Sequence, residues 1–168
     1  MATSTTVSAT PNAPVAGTRL LARILDEGYG PGAWHGNDLK AAVADVSERS
    51  AFWRPGPGRH NIAEIALHHA YCVQGVITRL TGTKPRPFVL EGSDWFELPN
   101  DTLSWAKVAD ELASQQEQLA KAVANVASGR RRSPLEEKDQ LDLILGVTCH
   151  AIYHAGQIQL IKVLEQTS

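Results

Sequence analysis

The sequence has few cysteines and no long apolar run, and these two shortages argue against several protein classes. Cys72 and Cys149 are far apart and form no disulfide framework, so we expect both to be reduced and the protein to be cytoplasmic. No stretch approaches the roughly 18 apolar residues that cross a bilayer, so no membrane association is expected. Residues 1–14 lack a basic start and an apolar run, which argues against a secretion signal or anchor. Their Thr, Ser, Ala and Pro content predicts a disordered tail.

A strong charge of one sign is also missing. The net charge is −2, which gives no electrostatic reason to expect nucleic acid or an anionic membrane as a partner. The chain shows no strand pattern and no internal repeat. With 168 residues, of which 43% are hydrophobic, it is long enough to bury one sizeable core. We therefore expect one soluble domain over residues 15–168.

Apolar residues recur instead with helical period in several long segments. Four long helices are predicted, near residues 15–27, 61–81, 104–126 and 135–164. A short helix is expected between the first two, through Leu39, Val43 and Val46. Residues 82–99 are predicted to form a long ordered loop that can cover a pocket. Four long helices and one short one predict an all-α four-helix bundle, a fold that builds sites from facing helices.

The last predicted helix carries two histidines four residues apart, His150 and His154. Residues at i and i+4 lie one above the other on one helix face, so both imidazoles can reach one divalent ion at about 2.0–2.1 Å. Gln157 lies one turn beyond His154, where its amide can contact a ligand or a bound water. The glutamate of the HExxH zinc-protease motif is missing, which excludes that mechanism. Two ordinary histidines remain the alternative.

The second long helix offers a third ligand, and its periodicity leaves two candidates open. His69 falls near the middle of the apolar arc, whereas His68 lies on its flank and can point into a pocket at the edge of the core. Glu64 lies one turn before His68 and is the nearest carboxylate by spacing to a metal-bound water. Cys72 lies one turn after His68 and is interpreted as a small buried residue rather than a ligand.

Two segments carry a resemblance to a known family. HNIAEIALHHAY at residues 60–71 and HAIYHAGQI at residues 150–158 resemble the second and last helices of the DinB/YfiT-like metal-binding four-helix bundles. The shorter elements WHG, RLTG and DWF look like one branch of that family. The resemblance covers residues from about 20 to 164.

The resemblance implies a divalent-metal site made of three histidines. The histidine of the family's Ile-x-x-Ile-x-x-His segment falls on His68, and the i, i+4 pair falls on His150 and His154. This chain departs from the family at His69, where many relatives have an aliphatic residue, and at His60, where tryptophan is frequent. Because imidazole suits late divalent metals, we expect zinc or nickel rather than magnesium or calcium.

The resemblance also implies a function and partners. Characterised relatives include thiol-dependent transferases and a thiol-dependent isomerase, so we expect a metal-dependent enzyme of the thiol-transferase or hydrolase type. Its substrate would be a small molecule, with a low-molecular-weight thiol as the candidate. A non-catalytic metal-binding or stress-response module is the alternative. A homodimer is expected from the resemblance and from four large apolar residues in predicted loops, Trp34, Trp53, Leu90 and Phe96.

Overall fold

The computed structural model describes residues 16–92, 94–98 and 102–167. Within these ranges the chain forms the following helices: α1 (Ala16–Tyr29), α2 (Leu39–Val43), α3 (Glu48–Phe52), α4 (Ile62–Thr81), α5 (Trp105–Ala127) and α6 (Glu137–Gln166). The tail predicted at residues 1–14 lies outside the described residues. None of the helices in these ranges has the length and apolar character needed to cross a membrane.

The four long helices pack as a bundle. Helix α4 packs against α5 and α6, and α1 packs against the same two helices from the opposite corner. This arrangement confirms the all-α bundle predicted from the periodicity. The short helix predicted through Leu39, Val43 and Val46 is α2, which ends at Val43. A second short helix, α3, was not predicted; it begins where the Ser47 side chain accepts a hydrogen bond from the Ser50 N–H.

The beginning of α4 is fixed by a capping box. The Asn61 side chain accepts a hydrogen bond from the Glu64 N–H at 2.8 Å, and the Glu64 carboxylate accepts one from the Asn61 N–H at 3.4 Å. The helix ends at Gly82, whose φ of 67° is a left-handed conformation that glycine adopts without strain. These two ends set the register that turns His68 and His69 towards the bundle interior.

The apolar core is divided into two clusters along the bundle. On α4 the first cluster ends at Ala70 and the second begins at Val73. On α6 the buried apolar residues up to Val147 belong to the second cluster, and those from Ala151 onwards belong to the first. The buried histidines lie around this boundary, namely His68, His69 and His154. The bundle therefore has a polar layer in its middle, which four-helix bundles use for metal and cofactor sites.

The described part of the connection between α4 and α5 folds back over α4. Phe96 is 5% exposed, and its ring lies 5.3 Å from Phe88 and 5.5 Å from Tyr71 of α4. The Leu98 N–H donates a hydrogen bond to the Glu64 carboxylate at 2.9 Å. These contacts order the described part of the loop predicted at residues 82–99 and carry it past the histidines of α4.

Glu64 is the electrostatic anchor of this region. Its side chain is 1% exposed and is paired with Arg54 through two hydrogen bonds. Burial opposes ionisation of this carboxyl, but hydrogen bonds from Arg54, the Leu98 N–H and His60 outweigh it and hold the pKa of Glu64 below its usual 4.5. Glu64 therefore stabilises the fold as a carboxylate.

We predict that Glu64→Gln lowers the free energy of unfolding of the metal-free protein by about 1–3 kcal/mol, because the buried position loses a charge-assisted pairing. Urea denaturation measures the change. The wild-type advantage is full above about pH 4.5, where the unfolded carboxyl ionises, and declines as the pH falls through the lowered pKa. Glu117→Gln is the matched control, since Glu117 pairs with Lys121 at the surface and should change little. Equal effects of the two substitutions would contradict the role given to Glu64.

Candidate metal centre

The three predicted ligands come together in the polar layer. His68 Nε2 lies 3.2 Å from His150 Nε2, and His154 Nε2 lies 2.9 Å from the same atom. Two nitrogen ligands at zinc-binding distance from one ion are about 2.9–3.4 Å apart, between right-angle and tetrahedral geometry. Each of the two spacings to His150 Nε2 therefore fits a pair of nitrogens that share an ion.

His68 is oriented by the loop that crosses α4. Its Nδ1 lies 2.8 Å from the backbone oxygen of Asp94 and 3.3 Å from the Asp94 carboxylate. A carbonyl oxygen only accepts, so Nδ1 carries the proton and Nε2 keeps its lone pair towards His150. Asp94 has a φ of 64°, a left-handed conformation that costs energy in a residue with a side chain. The chain holds this strained residue where its oxygen meets His68.

His154 is oriented by its own helix. Its Nδ1 lies 2.6 Å from Gln157 Oε1, and Gln157 Nε2 donates to the Tyr153 hydroxyl at 3.0 Å. The amide oxygen accepts the Nδ1 proton, which again leaves the lone pair on Nε2. Gln157 thus lies where its spacing predicted it, directly behind His154.

His150 has a partner behind it that the sequence did not assign. His69 Nδ1 lies 2.9 Å from His150 Nδ1, and the far nitrogen of His69 lies 2.7 Å from the Gln116 amide nitrogen. His69 is fully buried, so both candidates on α4 point inward and contact opposite sides of His150. Gln116 lies four residues after Leu112, which is an inward position of α5. That spacing is the feature of the sequence that could have placed Gln116 near the bundle interior.

Trp95 covers the site and was not predicted as part of it. Its indole is stacked between two imidazoles, with ring centroids 3.8 Å from His60 and 3.9 Å from His68. His60 Nδ1 lies 3.1 Å from the Glu64 carboxylate. The stack holds the flat face of His68 and restricts its ring orientation.

Glu64, predicted to lie near a metal-bound water, is engaged elsewhere. Its carboxylate bonds to Arg54, to His60 and to the backbone N–H groups of Asn61 and Leu98. None of these partners is one of the three predicted ligands. Its contacts therefore belong to the capping box and the loop.

Cys72 lies at the edge of the cluster. Atoms of His68, Cys72 and His150 all lie within 4.8 Å of one another, so these residues can hold a metal ion. Cys72 Sγ is 3.8 Å from His68 Nε2 and 4.0 Å from His68 Nδ1, which places the sulfur at nearly equal distances from both ring nitrogens. Burial raises the pKa of the Cys72 thiol to about 11.

Burial also favours the neutral form of three histidines, His69, His150 and His154. It is the largest cause lowering the pKa of His69 well below the usual value, and it lowers the pKa of His150. For His154 burial lowers the pKa to about 4, against the opposing effect of the Gln157 hydrogen bond. Neutral imidazole is the form that binds metal, so these side chains are ready for it at neutral pH.

The proton count of the cluster shows that its donor set suits a cation. His68 and His154 direct lone pairs inward, and His150 Nε2 can supply at most one proton between the three nitrogens. His150 Nε2 faces two nitrogens and can donate to only one of them, so one lone pair is left without a donor. A divalent ion satisfies all three, and imidazole is a ligand that late divalent metals favour.

Comparison with known proteins gives one assignment. The profile of the DinB superfamily matches residues 33–158, which include α2, α3, α4, α5 and most of α6. No curated protein and no solved structure matches the chain. The matched region contains all the histidines described above and covers most of the sequence. The chain belongs to the DinB superfamily.

Proposed function

We propose that this protein is a metal-dependent enzyme in which His68, His150 and His154 hold one late divalent ion, zinc or nickel. The observation that carries the proposal is that His150 Nε2 lies 3.2 Å from His68 Nε2 and 2.9 Å from His154 Nε2, in a buried polar layer. Each of the outer two imidazoles has its other nitrogen anchored by a hydrogen-bond acceptor. Such anchoring is the usual partner of metal-bound histidine.

His154 is a better third ligand than Cys72. The lone pair of an imidazole nitrogen points outward in the ring plane, away from the other ring nitrogen. Cys72 Sγ is almost equally far from both nitrogens of His68, so it lies beside the ring rather than along this direction. His154 Nε2 instead meets His150 Nε2 at 2.9 Å. We therefore assign Cys72 to the wall of the site.

The chemistry follows from the donor set. Three histidines leave coordination positions for water or substrate, and a bound divalent ion lowers the pKa of such a water or thiol and polarises a substrate oxygen. The protein's own contribution is orientation: the Asp94 carbonyl and the Gln157 amide fix two rings, and Trp95 shields them.

Thiol transfer suits the surroundings better than hydrolysis. A carboxylate often assists metal-bound water in hydrolysis, and the carboxylate predicted for that role, Glu64, is committed to Arg54 and to two backbone N–H groups. Beside the site lies a cavity of about 580 Å³ with an apolar wall that includes Ile65 and Ile161. Gln157, the partner of His154, lines it as well. The cavity is of a size that takes a small molecule.

Arg59 gives this cavity a preference for anions. Among the described residues its guanidinium has no ion-pair partner, in contrast to Arg54, which Glu64 neutralises. A low-molecular-weight thiol that carries carboxylates can place its sulfur near the histidines and an acidic group near Arg59. We therefore propose an anionic thiol as the substrate.

We predict that protein purified without a nickel column carries about one zinc or nickel ion per chain, measured by elemental analysis. The metal-loaded protein should transfer the sulfur of glutathione to monochlorobimane, with loss of chloride, faster than that of cysteamine, which lacks carboxylates.

His154→Ala should abolish stoichiometric metal binding and activity, because two histidines hold the ion poorly. Gln157→Ala should weaken metal binding by about 10–100-fold.

Cys72→Ala is the matched control for these measurements. It removes the neighbouring sulfur and should leave metal content unchanged. Metal that survives His154→Ala and disappears with Cys72→Ala would overturn the three-histidine assignment. Protein that binds metal stoichiometrically and transfers no sulfur from either thiol would reject the transferase proposal alone.

We also propose that the protein is a homodimer, formed through an apolar stripe on α6. The exposed residues of this stripe are separated by three, four, seven or eight positions: Leu141, Leu145, Tyr153, Leu160 and Val163. Of the four loop residues first considered, Trp34 is 91% exposed, Trp53 and Leu90 are half-buried and Phe96 is in the core. The stripe is therefore the larger apolar surface, and such surfaces are typical of association sites.

Light scattering at micromolar concentration should give twice the 18.2 kDa mass of one chain. Val163→Glu, which introduces a charge in the stripe, should give monomer with an unchanged circular dichroism spectrum. Trp34→Ser, at the exposed loop residue, should remain dimeric. A monomeric wild type would contradict the proposal.

A further inference from the structure

The contact between His69 and His150 constrains which ring nitrogen of each residue carries a proton. Both facing atoms are Nδ1, 2.9 Å apart, and each nitrogen can donate or accept. On the other side of His69, Nε2 faces the Gln116 amide nitrogen at 2.7 Å. An amide nitrogen only donates, so its position fixes the direction of every hydrogen bond that follows.

With the amide nitrogen facing His69, the chain of bonds runs towards the histidine cluster. Gln116 donates to His69 Nε2, which must then be the acceptor. His69 therefore carries its proton on Nδ1 and donates it to His150 Nδ1. His150 in turn carries its proton on Nε2, where His154 Nε2 accepts at 2.9 Å. Every nitrogen along this chain has a partner, and the proton of His150 lies inside the cluster.

A metal ion at the cluster needs the opposite direction. His150 can bind it through Nε2 only as the tautomer with its proton on Nδ1. That proton then needs an acceptor, and the atom facing it is His69 Nδ1. His69 must therefore carry its own proton on Nε2, which faces Gln116. The His69 Nε2 proton finds an acceptor when the Gln116 amide rotates and presents Oε1 instead of Nε2.

We propose that His69 and Gln116 form a reversible hydrogen-bond relay that sets the tautomer of His150 and reverses when the metal site is filled. The proposal rests on the three-histidine site proposed above. Each imidazole holds one proton in both directions of the relay, so neither His69 nor His150 changes its charge. His150 Nε2 releases its proton to solvent, His69 passes its Nδ1 proton to His150 Nδ1, and solvent returns one proton to His69 Nε2 past the half-buried Gln116 side chain. Gln116 contributes a rotation of its amide group.

Burial makes the relay necessary. His69 is fully buried, so the nitrogen facing His150 has no access to water as a substitute partner. A proton on His150 Nδ1 without an acceptor would cost the desolvation of a buried donor. Gln116 is half-buried, and its side chain has room to present either end of the amide. His69 and Gln116 are thus positioning residues, because they act on the metal site through His150.

Nitrogen-15 NMR of the imidazoles tests the relay directly. In chelator-treated full-length protein, His150 should carry its proton on Nε2 and His69 on Nδ1. After addition of zinc, His150 should carry it on Nδ1 and His69 on Nε2. A core histidine that merely fills space would keep one tautomer in both states. An unchanged His69 tautomer in protein that has bound zinc would overturn the proposal.

Two substitutions give a second readout in zinc competition with a chelator. His69→Leu removes the acceptor behind His150 and should weaken zinc binding by about 10–100-fold. Gln116→Glu presents only acceptor oxygens, favours the metal-binding direction and should tighten zinc binding by about tenfold. Gln118→Glu, the same change where the amide bonds to Ser114, should leave the affinity unchanged. Circular dichroism checks the fold of each variant.

The outcomes separate the relay from the site. A wild type that binds no zinc would reject the three-histidine site and the relay with it. A wild type that binds zinc while Gln116→Glu weakens binding, or matches Gln118→Glu, would reject the relay and leave the site standing. Because Gln116→Glu alters a half-buried position, this comparison holds even if His69→Leu does not fold.

Discussion

The structure depends on one constraint, which is that His150 Nε2 faces the Nε2 atoms of both His68 and His154 inside a helical bundle. The separation of the apolar core into two clusters creates the layer in which they meet. Lone pairs at 2.9 and 3.2 Å repel unless a proton or a cation lies between them. In the proposed centre a divalent ion would resolve this conflict, and the surrounding contacts would keep the lone pairs aimed at it.

Each ligand is held from behind by a different part of the chain. The loop supplies the Asp94 carbonyl to His68, helix α6 supplies Gln157 to His154, and α4 and α5 together supply His69 and Gln116 to His150. The energetic cost of the left-handed conformation of Asp94 is offset by the contact of its carbonyl with His68 and by the stacking of Trp95 on the same ring. The site therefore joins α4, α5, α6 and the covering loop, and its stability is that of the bundle.

The sequence predicts the parts of this arrangement that repeat along a helix. The i, i+4 spacing is sufficient to place His150 and His154 on one face and Gln157 behind them. Periodicity could not choose between His68 and His69, because both lie within reach of the interior, and in the structure both contact His150. The contacts that the loop makes with the site could not be predicted from the sequence, since the position of Trp95 is set by stacking on His60 and His68 in a distant segment. The start of α3 after Ser47 depends on a local capping hydrogen bond, which periodicity alone overlooks.

The coordination of bound zinc tests the central claim most directly. X-ray absorption of zinc-loaded protein reports the type and distance of the atoms around the ion without reference to activity. Three imidazole ligands predict a nitrogen shell at about 2.0–2.1 Å with the outer-ring scattering of three histidines and no sulfur. A sulfur shell at about 2.3 Å would show that Cys72 is a ligand and would contradict the three-histidine centre.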